Sequence, residues 1–240
     1  MTTTLHAFGC SHTFGQFLPD ITSVKKGNIT CTFGGPPSKL AWPQLVADQL
    51  DISCANHGHC GASRPFILHQ LLGGLLETIK PGDIVCILWP YLSRSLHITE
   101  KNWTNLQPGN PKKFSDVFLR KIEKQRADYY KYYNQHNQLW HSSSVIYCVT
   151  QLLENKSVHQ FHQFTDTRVN LPEPVLPWVN LSNCVDERFD TIAAQYPRAA
   201  DLSHAGVEAH RANAEAVLKT IKNPSKDLVQ NTELHYKHPV

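Results

Sequence analysis

An α/β fold built on a mainly parallel sheet is predicted for this 240-residue chain from three features. Short apolar runs alternate with segments of helical period through residues 1–90. The stretches joining those runs are long enough for helical crossovers, which parallel pairing requires. The run "IVCILW" has almost no polar alternation, as expected of a strand covered on both faces.

Residues 5–8 are apolar and stop at Gly9, which reads as a first buried strand ending in a turn. Residues 16–41, with "FGGPPS" among Thr and Lys, read as a long surface loop. "WPQLVADQLD" has Pro in its first turn and Leu45, Val46 and Leu50 on one face, the pattern of a helix, and "ISCAN" follows as a second strand. "RPFILHQLLGGLLETIK" predicts a helix packed on the sheet, weakened by Gly73 and Gly74 by about 1 kcal/mol each relative to Ala. After the turn "KPGD", "IVCILW" is the third strand. The segment from "DVFLRKIEK" to "LLENK" predicts one or two helices totalling about 40 residues, its aromatic residues forming either a face against the sheet or a wall for a sugar or acyl substrate. "VHQFHQF" alternates and reads as a fourth strand, and 170–200 as loops around a short helix. "AGVEAHRANAEAVLKTIK" predicts a final helix. One domain over residues 1–222 is expected, with a mainly helical insertion around 100–157 and a C-terminal tail over 223–240.

Composition narrows the function. A net charge of +3 without a long basic run gives no electrostatic reason for a nucleic-acid or anionic-membrane partner. No segment approaches ~20 apolar residues and no secretion signal is read at the start, so a cytoplasmic location is expected. Seven scattered Cys without a CxxC pair point to reduced thiols. "HGHC" and "HQFH" lack the spacing of a zinc site, and neither GxGxxG nor a P-loop occurs, so no metal or cofactor is expected. Oligomeric state carries no signal.

In open α/β sheets, ligands bind beyond the carboxyl ends of the strands. Those positions hold "GCSHTFG", "NHGHCGAS" and "WPYLSR", with "DLSH" ahead of the final helix. Taken singly, Ser11 reads as a helix N-cap, Asp201 as a turn residue, His204 as a solvated imidazole and Gly61 as a turn glycine. Taken together they are an inventory for acyl transfer.

The arrangement resembles the SGNH, or GDSL-type, hydrolases in three of that family's four blocks: Gly9, Cys10 and Ser11 after the first strand, Asn56 with "HGHCGAS" after the second, and Asp201 to His204 before the last helix. The resemblance implies a three-layer sandwich on a mainly parallel, flavodoxin-like sheet. It implies Ser11 as nucleophile, His204 as general base, Asp201 as the carboxylate orienting it, and the backbone N–H groups of Ser11 and Gly61 as an oxyanion hole. The expected function is a serine esterase cleaving a small O-acyl ester, such as an acetyl ester on a small molecule or glycan, through an acyl-Ser intermediate. Two departures stand out. Cys10 replaces the family's Asp, and "LWPYLSR" lacks the third block's oxyanion Asn, leaving Tyr91, Ser93 or Arg94 as substitutes. Arg94 is also a candidate clamp for a substrate anion, and His12, Asn56 and His59 are expected to line the pocket. The alternatives are an O-acyltransferase, or a catalytically impaired domain that binds a glycan or a protein.

Overall fold

A computed structural model describes residues 3–21, 24–26, 29–31, 35–98, 103–106, 117–131, 133–166 and 183–224. The central sheet has four parallel strands in the order β4 (Ser53–Asn56), β1 (Thr4–Phe8), β5 (Ile84–Trp89), β8 (His159–Phe164). These are the four strands expected from the sequence, and the chain reverses its winding direction across β1.

Side-chain alternation on the two central strands creates one core on each face. Leu5 and Ala7 of β1 and Cys86 and Leu88 of β5 point to one side, where α2 (Trp42–Leu50), α7 (Phe189–Ala193) and α8 (Val207–Lys222) contribute Trp42, Val46, Phe189 and Val217. Phe8, Val85, Ile87 and Trp89 point to the other, against α3 (Arg64–Gln70) and α6 (Gln135–Glu154) through Ile67, Ile146 and Val149. That is a three-layer sandwich. Each fully buried aliphatic or aromatic side chain stabilises it by about 1.5–3 kcal/mol.

Helix α2 begins without a side-chain cap at Ala41. Its Trp42 N–H instead donates to Nδ1 of buried His210, 3.2 Å away on α8, which ties the two helices together. At the opposite end of the sheet, the Asp83 carboxylate accepts the Thr4 N–H at 2.9 Å and the Lys80 N–H at 2.8 Å, fastening β1 to the start of β5. The same carboxylate meets His6 Nε2 at 3.3 Å, and His6 Nδ1 lies 3.1 Å from His57 Nε2.

Three expectations need correction. Within the stretch read as surface loop, β2 (Val24–Lys26) and β3 (Ile29–Cys31) pair antiparallel, Lys26 facing Ile29 and Val24 facing Cys31. The expected helical insertion is preceded by a second antiparallel pair, β6 (Ser95–Ile98) and β7 (Trp103–Leu106), which the sheet reading missed. The single helix expected over 64–80 is broken: α3 passes into a π-turn at Leu71–Leu75 before α4 (Leu76–Thr78), and Gly74 sits at φ 119°, outside any helical region. The expected middle helices are α5 (Val117–Lys131) and α6. Of the predicted loops over 170–200, residues 170–182 lie outside the described residues, as does nearly all the tail. Among the described residues, no helix is long and apolar enough to cross a membrane.

Candidate active site

The turn after β1 is built by Gly9, whose φ is 158°. A Cβ there would lie 2.1 Å from Thr13 Oγ1 and 2.9 Å from the Leu88 carbonyl, so only glycine lets the chain turn this close to β5. The short helix α1 (Ser11–Phe14) follows, and its N-cap is Cys10, which makes no side-chain capping bond. Ser11 is therefore the first helical residue rather than the cap, and its hydroxyl is left for another partner.

That partner is His204. Its Nε2 lies 3.1 Å from Ser11 Oγ, and its Nδ1 lies 2.6 Å from Asp201 Oδ2. The loop carrying the pair is held by Asp201 itself: Oδ1 accepts the backbone N–H of Ser203 at 3.2 Å and of His204 at 3.0 Å. The Ser203 hydroxyl also donates to Oδ2. Burial raises the Asp201 carboxyl, but the hydrogen bonds from Ser203 and from the His204 ring and backbone outweigh it, bringing the pKa down to about 2. Hence the carboxylate is ionised at neutral pH.

Two rings flank the imidazole. Phe17 is centred 5.0 Å from it and His12 5.5 Å. Phe17, at φ 67°, and Leu202, at φ 59°, are both non-glycine residues in the left-handed region, one beside His204 and one between Asp201 and His204. His12 is buried against Phe189, and its Nδ1 has no partner among the described residues. Burial, then the charges of His204 and His210 and of Arg94 and Arg198, hold its pKa well below the ordinary histidine range. It is a neutral imidazole.

The loop after β4 docks on α1. His57 N–H donates to the Ala7 carbonyl at 2.8 Å and His59 N–H to that of Gly9 at 3.0 Å. Asn56, expected to line the pocket, commits its side chain to bonds within the fold. Its amide Nδ2 donates to the Thr13 carbonyl at 2.7 Å and its Oδ1 accepts the Gly58 N–H at 2.9 Å, so it is a brace between this loop and α1. His59 tilts against Phe66 and its Nδ1 lies 3.0 Å from the Cys60 carbonyl. Gly61 follows at φ 78°, a left-handed conformation that favours glycine.

Tyr91, one of three candidates to replace the missing Asn, has its hydroxyl turned elsewhere. Its single O–H donates to Asp190 Oδ1 at 3.0 Å, so it is committed to α7 and not to an oxyanion. Burial, then Asp190, raises its pKa. Burial likewise raises that of Asp190, against the opposing hydrogen bond from Tyr91. The Arg94 guanidinium lies 4.8 Å over the Tyr91 ring and Nη1 donates to the Ala62 carbonyl at 3.3 Å. Sequence reasoning missed Phe17, Asp190 and Ser203. Ser203 was legible as a Ser inside "DLSH"; Phe17 and Asp190 carry no local signal, because only the fold brings them to the site.

No protein-family model matches the chain, and no curated protein matches it. Among solved structures, it is similar to LAE5, an α/β hydrolase enzyme from the metagenome of Lake Arreo, Spain, with 14% identity over 92% of this chain and 95% of that one and a TM-score of 0.51. It also aligns with a protein assigned to the lipolytic G-D-S-L family from Desulfitobacterium hafniense DCB-2, with 13% identity, 91% and 99% coverage and a TM-score of 0.49. A third is Axe2, an acetylxylan esterase from Geobacillus stearothermophilus, with 14% identity, 91% and 94% coverage and a TM-score of 0.46. At these identities the likeness is one of fold. The parallel order β4-β1-β5-β8, the helices on both faces and the shared fold of LAE5 give this chain the α/β architecture that its resemblance to the SGNH hydrolases implies.

Proposed function

We propose that the protein is a serine esterase that cleaves a small O-acyl ester through an acyl-Ser11 intermediate. The continuous hydrogen-bond chain from Ser11 Oγ through the His204 ring to Asp201, 3.1 Å and 2.6 Å long, carries this reading. A serine hydroxyl is too weakly acidic to attack unaided, and an imidazole within hydrogen-bond reach removes its proton as the bond to carbon forms. Asp201 holds the proton on Nδ1, leaving Nε2 as the acceptor, and stabilises the imidazolium that results. His204 then returns the proton to the departing alkoxide. Water, deprotonated by the same Nε2, releases the acyl group and regenerates Ser11. The backbone N–H groups of Ser11 and Gly61 are the oxyanion donors in this scheme. The chemistry of these side chains is complete without a cofactor.

The test is turnover of p-nitrophenyl acetate and longer acyl homologues by the wild-type protein and Ser11→Ala. Hydrolysis is expected to fall on the order of 10⁴-fold or more in the variant. Equal turnover by both removes Ser11 from the mechanism.

The commitment of Tyr91 to Asp190 favours a second reading, a domain of this fold that binds a glycan or protein without turning it over. Loss of one oxyanion donor costs about 10²–10³-fold in rate. A covalent fluorophosphonate adduct at Ser11 counts against that reading, and ligand binding undiminished in Ser11→Ala without any turnover supports it.

A further inference from the structure

Two arginines cross-link the loops on either side of Ser11, each reaching from its own loop to a main-chain carbonyl of the other. Arg64 opens α3 directly after Gly61-Ala62-Ser63, and its Nε donates to the Pro90 carbonyl at 2.9 Å. Arg94 follows Tyr91 and donates back to the Ala62 carbonyl at 3.3 Å. The acceptors are backbone atoms on both sides, so the bonds fix main-chain positions.

Arg64 is 1% exposed. Its Nη1 donates to Ser142 Oγ of α6, its guanidinium lies 5.4 Å over the Phe164 ring, and its Nη2 is buried without a partner among the described residues. A buried cation bonded to carbonyl and hydroxyl oxygens costs desolvation, which the nearby Asp166 charge offsets only in part. Arg94 is half-buried, and the ring it covers is itself anchored by the Tyr91–Asp190 bond, so its fork is held from below.

We propose that Arg64 and Arg94 are positioning residues that latch the Gly61–Ser63 loop to the Pro90–Arg94 loop, holding the Gly61 backbone N–H where the oxyanion forms. The inference rests on the reading of Ser11 as nucleophile and Gly61 as oxyanion donor. Oxyanion donors act by being fixed before charge develops, and a displacement near 1 Å is enough to cost about 10²-fold. With the Tyr91 hydroxyl turned to Asp190 and Arg94 Nη1 given to the Ala62 carbonyl, the backbone donors carry this task, and the latch supplies rigidity to them.

The experiment is steady-state kinetics on two p-nitrophenyl esters, the neutral acetate and the anionic hemisuccinate, with unfolding midpoints recorded in parallel. Arg94→Met keeps the stem over Tyr91 and deletes the donor. It is expected to lower kcat about tenfold or more on both esters, with KM within about twofold. Arg94→Lys is expected to recover part of that loss, and the acid limb of the pH profile to stay in place because His204 is untouched. Arg64→Lys, tested where its midpoint shows a folded protein, is expected to lower kcat on both esters in the same way. Because Arg64 is part of the core, the Arg94 variants are the deciding ones. An unchanged kcat on the acetate overturns the latch, as does an effect confined to KM for the hemisuccinate, which makes Arg94 an anion contact instead. If turnover depends on Ser11 and Arg94→Met is unchanged, the latch falls alone. If turnover does not depend on Ser11, the esterase reading and the latch fall together.

Discussion

Asp201 contributes through what it accepts: the His204 ring, the Ser203 hydroxyl and two backbone N–H groups all donate to one carboxylate. Replacing it with Asn keeps the shape and turns an N–H toward donors. The imidazole then moves its proton to Nε2, where it cannot accept from Ser11. Asp201→Asn is expected to lower kcat/KM on the order of 10⁴-fold with little change in unfolding midpoint, measured on the neutral acetate ester. A loss below tenfold shows that Asp201 does not set the tautomer. At this scale the sequence was most informative where residues are close along the chain. Asp201 and His204 were legible as a pair because the loop holding them is four residues long. Tyr91 was misjudged because its hydroxyl has a choice of partners, and Asp190, 99 positions away, decides it.

Among the elements, the β1–α1 turn and the α3 break respond oppositely to added methyl groups. Gly9→Ala places a Cβ within 2.1 Å of the buried Thr13 side chain and 2.9 Å of a β5 carbonyl, so β1, α1 or β5 has to shift. A loss of more than about 2 kcal/mol is expected, with Ser11 displaced from His204. Gly73 has nothing within 4 Å of its would-be Cβ, and its φ is not positive. Gly73→Ala is expected to stabilise by about 0.5–1 kcal/mol. Chemical denaturation of both variants checks the pair, and a neutral Gly9→Ala would mean the turn is not close-packed. The four strands of the central sheet were legible from apolar runs or alternation and helix α8 from its period, since those patterns are local. The π-turn was not, because Gly73 and Gly74 signal only a weakened helix and do not say how the chain leaves it.

For the whole molecule, the histidines make stability depend on pH from an unusually high onset. Burial lowers His57 and His162 to about 4 and His210 to about 3, with the neighbouring His6 and His204 adding to the effect at His57 and His210. The unfolded chain takes up these protons near 6.5, and the folded one refuses them until lower pH. Their contribution is therefore whole above about 6.5 and is lost as pH falls toward 4, at about 1.4 kcal/mol per pH unit for each fully buried ring and less for the partly exposed His57. Asp83 and Asp201, both lowered, add losses only further down. The unfolding midpoint is expected to fall steadily between pH 6.5 and 5, before Asp83 and Asp201 titrate. A flat midpoint over that interval would show that these rings are solvated in the folded protein.

By itself the sequence determined the four strands of the central sheet and the main helices that cover its two faces, because apolar period and crossover length are properties of contiguous chain. It also marked Ser11, Gly61, Asp201 and His204, since each stands where a strand or loop delivers it to the sheet edge. Only the tertiary structure decided the distances among Ser11, His204 and Asp201, the diversion of Tyr91 and Asn56 to structural bonds, the placing of the Phe17 and His12 rings beside His204, and the burial of Arg64. Those outcomes depend on which polar groups find partners when distant segments pack together, and a hydrogen bond across the fold leaves no trace in local composition.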